Sequence, residues 1–240
     1  MREDFTVVVG TRNNIEWVEL YLNTLYATAT NKDQKVIITD NSLDEYHNQL
    51  LDICKRFPDK VEVIREDGYH IHTLLNAVAR AETKYVLFTH IDIVFLHDNW
   101  DGILKHQMTT HSAFAAGYVN GLYTRVLKDG AFIKTEFVLG EKELILDSKF
   151  DHFYFSTEGR LIDIEHGYLT IEMMKRGLGY LVFCRQIDKY GSIYHYEGNE
   201  FIYHCSYSSR IRPDNPNPIP PEEFVNGGIG AMHVTKQPEY

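Results

Sequence analysis

Thr6-Val7-Val8-Val9-Gly10-Thr11-Arg12-Asn13 is the stretch that decides the fold. Three successive valines leave no polar face, so this strand must be covered on both sides, as strands of parallel sheets are. It then empties abruptly into polar residues. The pattern repeats downstream. Ile15 to Tyr26 places Val18, Tyr21, Leu22 and Leu25 at helical spacing. Lys35-Val36-Ile37-Ile38-Thr39 is a second buried strand, closed by the turn-forming triplet Asp40-Asn41-Ser42. A helix over Leu43–Phe57, a strand over Val61–Ile64, a helix over Thr73–Ala81 and a strand over Tyr85–Phe88 complete a βαβαβαβ order. That order predicts an α/β, Rossmann-like domain with a mainly parallel central sheet flanked by helices.

Beyond residue 120 the pattern is less regular. Phe114–Tyr118 and Leu181–Phe183 read as further strands. Leu122–Leu127 and Ala131–Leu139 flank Lys128-Asp129-Gly130, a hairpin signal. Phe150–Phe155 is dense in aromatics, and Ile162–Arg176 reads as a helix ending at Gly177. Most of the 7 prolines fall between Pro213 and Pro238, which makes residues 211–240 an irregular Pro/Gly-rich tail or lid. The expected organisation is one domain over 1–210, split into halves at 1–120 and 121–210, with that tail at its end.

Composition narrows the classes. At 240 residues, with 44% hydrophobic and 24% charged residues, the chain can bury a full core and is neither disordered nor fibrous. No apolar run approaches the roughly 18–20 residues of a membrane span. Met-Arg-Glu-Asp leads into only a short apolar stretch, unlike a secretory leader. The 3 cysteines, widely spaced and odd in number, read as reduced thiols of a cytoplasmic protein. A net charge of −10 disfavours nucleic acid as the main partner.

Ligands of open α/β sheets bind at the carboxyl ends of the strands. Here those ends present Thr11, Arg12 and Asn13; Asp40, Asn41 and Ser42; and Thr89-His90-Ile91-Asp92. Neither GxGxxG nor GxxxxGK[ST] occurs, so a bound nucleotide's charge must be met differently, most simply by a divalent cation held by Asp92 and its neighbours. Asp92 precedes the apolar run Ile93-Val94-Phe95-Leu96, and an acidic residue in such company usually has a partner or a metal. Asp40 also suits a plain Asx turn, Thr11 and Asn13 suit helix caps, and His90 suits a satisfied edge histidine.

In this order of strand ends, with Asn76 in the third helix, the chain resembles the glycosyltransferases of family 2, which have the GT-A fold. The resemblance implies that Asp40 contacts the nucleobase. It implies that the segment His90-Ile91-Asp92 stands for the family's Asp-x-Asp, which holds a divalent metal and the nucleotide diphosphate. His90 replaces the first carboxylate; an imidazole can ligate Mn²⁺ or line the ribose pocket, and is a poorer Mg²⁺ ligand. Glu165, Leu169 and Gly177 match a second family motif, from which His166, Tyr168 and Glu172 depart. His195 stands where the family often has a metal-reaching His, with His204 and His233 as competitors.

The resemblance implies a non-processive transferase that moves one sugar from a UDP- or GDP-linked donor to the hydroxyl of a glycan or other acceptor. Mn²⁺ or Mg²⁺ would be held by Asp92, His195 and His90. Glu165 is the first choice of base, with Asp163 and His166 behind it. A single base with direct displacement inverts the anomeric centre. The Gln-x-x-Arg-Trp motif of processive synthases is absent; the tryptophans are Trp17 and Trp100. Two rivals stand beside this reading: a degenerate domain that binds nucleotide or glycan without catalysis, and a sugar nucleotidyltransferase, for which Gly10-Thr11-Arg12 is a faint phosphate loop.

Overall fold

The computed structural model describes residues 2–67, 70–110, 115–120, 132–148, 153–155, 161–163, 180–187, 191–196 and 198–205. In chain order the first elements are β1 (Arg2–Thr11), α1 (Ile15–Thr28), β2 (Val36–Asp40), α2 (Asp44–Cys54), β3 (Val61–Arg65), α3 (His70–Arg80) and β4 (Thr83–His90). Then come β5 (Ile93–Phe95), α4 (Trp100–Thr110), β6 (Ala115–Asn120), β7 (Phe132–Glu141) and α5 (Lys142–Ser148). The last are β8 (Phe153–Phe155), β9 (Leu161–Asp163), β10 (Tyr180–Ile187), β11 (Ser192–Tyr196) and β12 (Asn199–His204).

β1 lies between β2 and β4 and runs parallel to both, with Val8 opposite Ile37 and Phe88. β3 extends the parallel array beyond β2. The three valines of β1 are wholly buried, as their lack of a polar face requires. Alternation along the strand sends them to two separate cores. Val7 and Val9 join Trp17, Val18, Tyr21 and Leu22 of α1, whereas Val8 joins Ala77 and Val78 of α3 with Leu144 and Ile145 of α5. Each such side chain removed from water contributes about 1.5–3 kcal/mol. Helices therefore cover both faces of the sheet.

The full order is β3-β2-β1-β4-β7-β6-β10-β11-β12-β5. β1, β2, β3, β4, β6, β10 and β12 run one way and β5, β7 and β11 the other, so the central sheet is mainly parallel.

β7 pairs antiparallel with β4 on one edge and with β6 on the other, Asn120 standing opposite Phe132. Leu122–Leu127 and the Lys128-Asp129-Gly130 turn of the expected hairpin lie outside the described residues. One expectation needs revision: no helix begins at Ile162. Leu161–Asp163 is a strand paired with Phe153–Phe155, Tyr154 facing Ile162. Aromatic and β-branched residues favour such cross-strand pairs over a first helical turn. Residues 164–179 and the tail 211–240 lie outside the described residues, and so does the rest of that expected helix.

A corner far in sequence from β1 ties α1 to α4. Buried Asp101, in the first turn of α4, accepts the backbone N–H groups of Thr30 (2.8 Å) and Asn31 (2.7 Å). Trp100, fully buried, donates its indole N–H to the Leu25 carbonyl at 3.2 Å. Asn99 has φ 63°, a left-handed conformation that Asn tolerates, and donates its backbone N–H to the Thr28 carbonyl at 2.6 Å. Asp101→Ala removes one carboxylate that serves two backbone donors. The expected loss is roughly 2–4 kcal/mol, read as a lower urea midpoint at unchanged slope.

Candidate functional site

Three parallel strands end on one ledge. Gly10 stands opposite both Thr39 and His90, and Thr11 opposite Asp40. Asp40 is almost entirely buried. Its Oδ1 accepts the Ser42 N–H at 3.0 Å, the Asx turn that this triplet favours, and its Oδ2 lies 2.6 Å from His47 Nδ1. A carboxylate only accepts, so Nδ1 carries the proton of that bond. Asn13, at φ 58°, donates its own N–H to Ser42 Oγ (2.8 Å) and accepts the Leu43 N–H on its side-chain oxygen (3.0 Å). The Asn41 N–H reaches the Thr11 carbonyl at 3.1 Å. Thr11, Asn13, Asp40, Asn41 and Ser42 are therefore one stitched surface. Arg12 projects from it, exposed.

Thr11 Oγ1 and Thr39 Oγ1 are buried and make no hydrogen bond among the described residues. Asn76 is exposed on α3 and donates to Glu66 Oε2 at 2.7 Å, while the Glu66 N–H meets the Asp40 carbonyl at 3.2 Å. Asn76 thus rims the ledge through Glu66. His47 joins this ledge through Asp40, and sequence patterns do not single it out. It lies one turn into α2, and its only signal is a histidine seven residues after a strand-end aspartate.

The second cluster forms where β4 hands over to β5. Ile91 and Asp92 make the turn, both buried, and Asp92 is 1% exposed. β12 returns antiparallel to β5 and sets His204 opposite Ile93. The Cys205 N–H donates to the Asp92 carbonyl at 2.9 Å, locking the two segments at this level. His204 Nε2 then lies 3.2 Å from His90 Nδ1 and 3.3 Å from Asp92 Oδ1. One ligand atom from each of His90, Asp92 and His204 falls within 4.8 Å of the others. Behind them the Tyr21 hydroxyl bonds Thr89 Oγ1, and burial pushes the Tyr21 phenol well above its usual range.

These residues fit a divalent cation. Imidazole nitrogens and carboxylate oxygens bind such ions at about 2.0–2.2 Å, so two donors on one ion stand about 2.8–3.6 Å apart. The separations of 3.2 and 3.3 Å have that size. His195, by contrast, does not join the group. It pairs in register with Glu200, whereas Ser192 is the position opposite His204. Side chains alternate along β11, which turns position 195 to the opposite face from position 192. Its Nε2 is buried without a hydrogen-bond partner among the described residues. Asp163 closes β9, and Glu165 and His166 lie outside the described residues.

The fold has counterparts among known proteins. The family described as Glycosyl transferase family 2 matches residues 6–155. No curated protein matches the chain. Among solved structures, the mannosyltransferase PcManGT from Pyrobaculum calidifontis, in complex with GDP-Man and Mn²⁺, aligns with TM-score 0.57 at 16% identity, over 74% of this chain and 54% of that one. Glucosyl-3-phosphoglycerate synthase from Mycobacterium tuberculosis, in complex with Mn²⁺, UDP and phosphoglyceric acid, aligns with TM-score 0.52 at 14% identity, over 75% and 68%. TarS from S. aureus aligns with TM-score 0.51 at 18% identity, over 70% of this chain and 34% of that one. The chain thus spans about half the length of the mannosyltransferase and about a third of TarS.

Two substitutions test how the site is held. His47→Ala strips a donor from a buried carboxylate and should cost about 1–3 kcal/mol in urea unfolding. At Gly191 a Cβ would lie 2.1 Å from the His204 carbonyl oxygen. Because that neighbour is backbone, Gly191→Ala should lower stability by about 1–3 kcal/mol, seen as a fall in melting temperature.

Proposed function

The chain belongs to glycosyl transferase family 2, and from that premise we propose that it transfers one sugar from a nucleoside-diphosphate donor to an acceptor hydroxyl. The observation that carries the reading is the convergence of His90, Asp92 and His204 at the end of β4, beside the ledge formed by β1 and β2. The fold of the neighbours agrees with it.

In this reading the donor lies across the strand ends. Its base, uracil or guanine, rests against Asp40, Asn41 and Ser42, with His47 behind the carboxylate. Thr11, Arg12, Asn13 and Ile91 border the ribose and phosphates, and Asn76 closes the rim through Glu66. His90, Asp92 and His204 hold the divalent cation, Mn²⁺ or Mg²⁺; His204 takes the place that spacing alone gives to His195. Such an ion, when bound, neutralises charge that develops on a departing diphosphate.

The chain's own residues supply the remainder. The acceptor hydroxyl loses its proton as it attacks the anomeric carbon, so one base must stand within hydrogen-bond reach. Glu165 has that role in our proposal, with Asp163 and His166 flanking it. One base and direct displacement invert the anomeric centre. The acceptor belongs to the half 121–210. Among the described residues no helix is long and apolar enough to cross a membrane. One sugar per encounter is the mode we assign.

Binding to the native state raises the melting temperature by linkage, about 2.7 kcal/mol at a hundredfold excess over Kd. For a chain of this size that is about 5–10 °C. Among UDP, GDP, CDP and CMP, one diphosphate with a divalent cation should produce the shift, and Asp92→Ala should abolish it. No shift with any nucleotide would sink the transferase reading. Donor hydrolysis by the purified protein separates a transferase from a domain that only binds.

A further inference from the structure

The chain has 34 acidic side chains against 24 basic ones, so a cation without a carboxylate beside it stands out. Arg56, Arg65 and Arg80 hold Glu19, Asp44 and Glu62 in turn. Arg12 is exposed and pairs with no carboxylate among the described residues, not even Glu16 in the adjoining first turn of α1. Its side chain is free, but its backbone is held. The Thr11 carbonyl accepts the Asn41 N–H at 3.1 Å. Asn13, at φ 58°, donates its N–H to Ser42 Oγ and accepts the Leu43 N–H. Position 12 is therefore clamped on both sides, just past the end of β1. That strand lies between β2, which ends in Asp40, and β4, which ends in His90. Each neighbour is one strand spacing away, about 4.8 Å, a distance that an arginine side chain spans.

We propose that Arg12 is a catalytic residue: its guanidinium grips the β-phosphate of the donor and takes up the charge that this group gains as it leaves. The inference rests on the transferase reading and adds a protein cation to it. In the transfer, the bond from the anomeric carbon to the β-phosphate oxygen breaks, and its electron pair stays on that oxygen. The acceptor oxygen forms the new bond, and its proton passes to the base. The departing diphosphate thus carries more negative charge than it did in the donor. A fixed cation interacts more strongly with that state than with the ground state, which is the condition for raising the rate. Guanidinium meets phosphate oxygens with two parallel N–H donors. Arg12 has no ion pair to give up when an anion arrives, and its clamped backbone needs little ordering. Arg65, by contrast, would have to leave Asp44.

The test is calorimetric titration of the full chain with UDP, GDP, UMP and GMP, each with MnCl₂. For the diphosphate that the parent binds best, Arg12→Ala should weaken binding roughly 10–100-fold, the size of a hydrogen bond between charged groups. The matching monophosphate should bind nearly as before. Hydrolysis of the corresponding sugar nucleotide at saturating donor should slow roughly 100-fold. Arg12→Lys, which keeps the charge and loses the fork, should recover part of both losses. Arg80→Ala removes the same charge near the opposite end of β4 and should bind as the parent does. Equal weakening of diphosphate and monophosphate, or no weakening, overturns the proposal and leaves the donor-site reading standing. Weaker diphosphate binding with an unchanged hydrolysis rate overturns the catalytic role. A parent that binds none of the four nucleotides removes the transferase reading itself.

Discussion

The antiparallel pairing of β12 with β5 is the contact on which the site depends. β5 has only three residues, yet it fixes where Asp92 stands and what stands beside it. A one-residue slip of β12 would send His204 to the other face of the sheet. The register is held from several directions. Phe95, Phe201, Ile202 and Tyr203 are buried together, and Phe95 also packs against Trp100 and Tyr21. The Leu96 and His97 N–H groups share the Phe201 carbonyl at 3.1 and 3.2 Å. Apolar packing thus sets a register whose consequence is polar: two histidines and an aspartate meet where a strand ends.

The parallel half is legible in the sequence because two signals coincide there. Val7-Val8-Val9 and Val36-Ile37-Ile38 are apolar on both faces, and a both-face apolar run has one common use. Polar residues end the first two strands abruptly, and an apolar run follows Asp92, so Asp40 and Asp92 stand out by contrast with their neighbours. β5 is hidden because its Ile93-Val94-Phe95 is too short to show a period. The pairing of β7 with β4 leaves no mark in the local sequence, where turn chemistry points only to Leu122–Leu127.

His47 and His204 illustrate the other limit. Neither carries a local mark, since each owes its position to tertiary contact: His47 to the angle at which α2 leaves Asp40, and His204 to the return of β12. Motif spacing favours His195 over His204 because it ignores the alternation of side chains along β11. A difference of one face separates the two histidines. Spacing carries no information about faces once an irregularity intervenes, and this pair of strands has one between Tyr194 and His195.

In the proposed metal site the resemblance sets His90 where the family has a carboxylate, and this has an electrostatic consequence. A cation held by one carboxylate and two imidazoles would be less neutralised by the protein than one held by two carboxylates, and more of its charge would be left for an anionic ligand. In a chain whose formal charge is −10, that local surplus matters. The walls around Asp92 and His204 are buried and apolar, so the effective dielectric is low and the attraction for an anion is correspondingly strong. Nearby Arg12, exposed after the end of β1, adds to the same sign of field. With such an ion bound, an acidic chain would still present positive charge at this one edge, because that charge would come from few groups held among buried apolar neighbours.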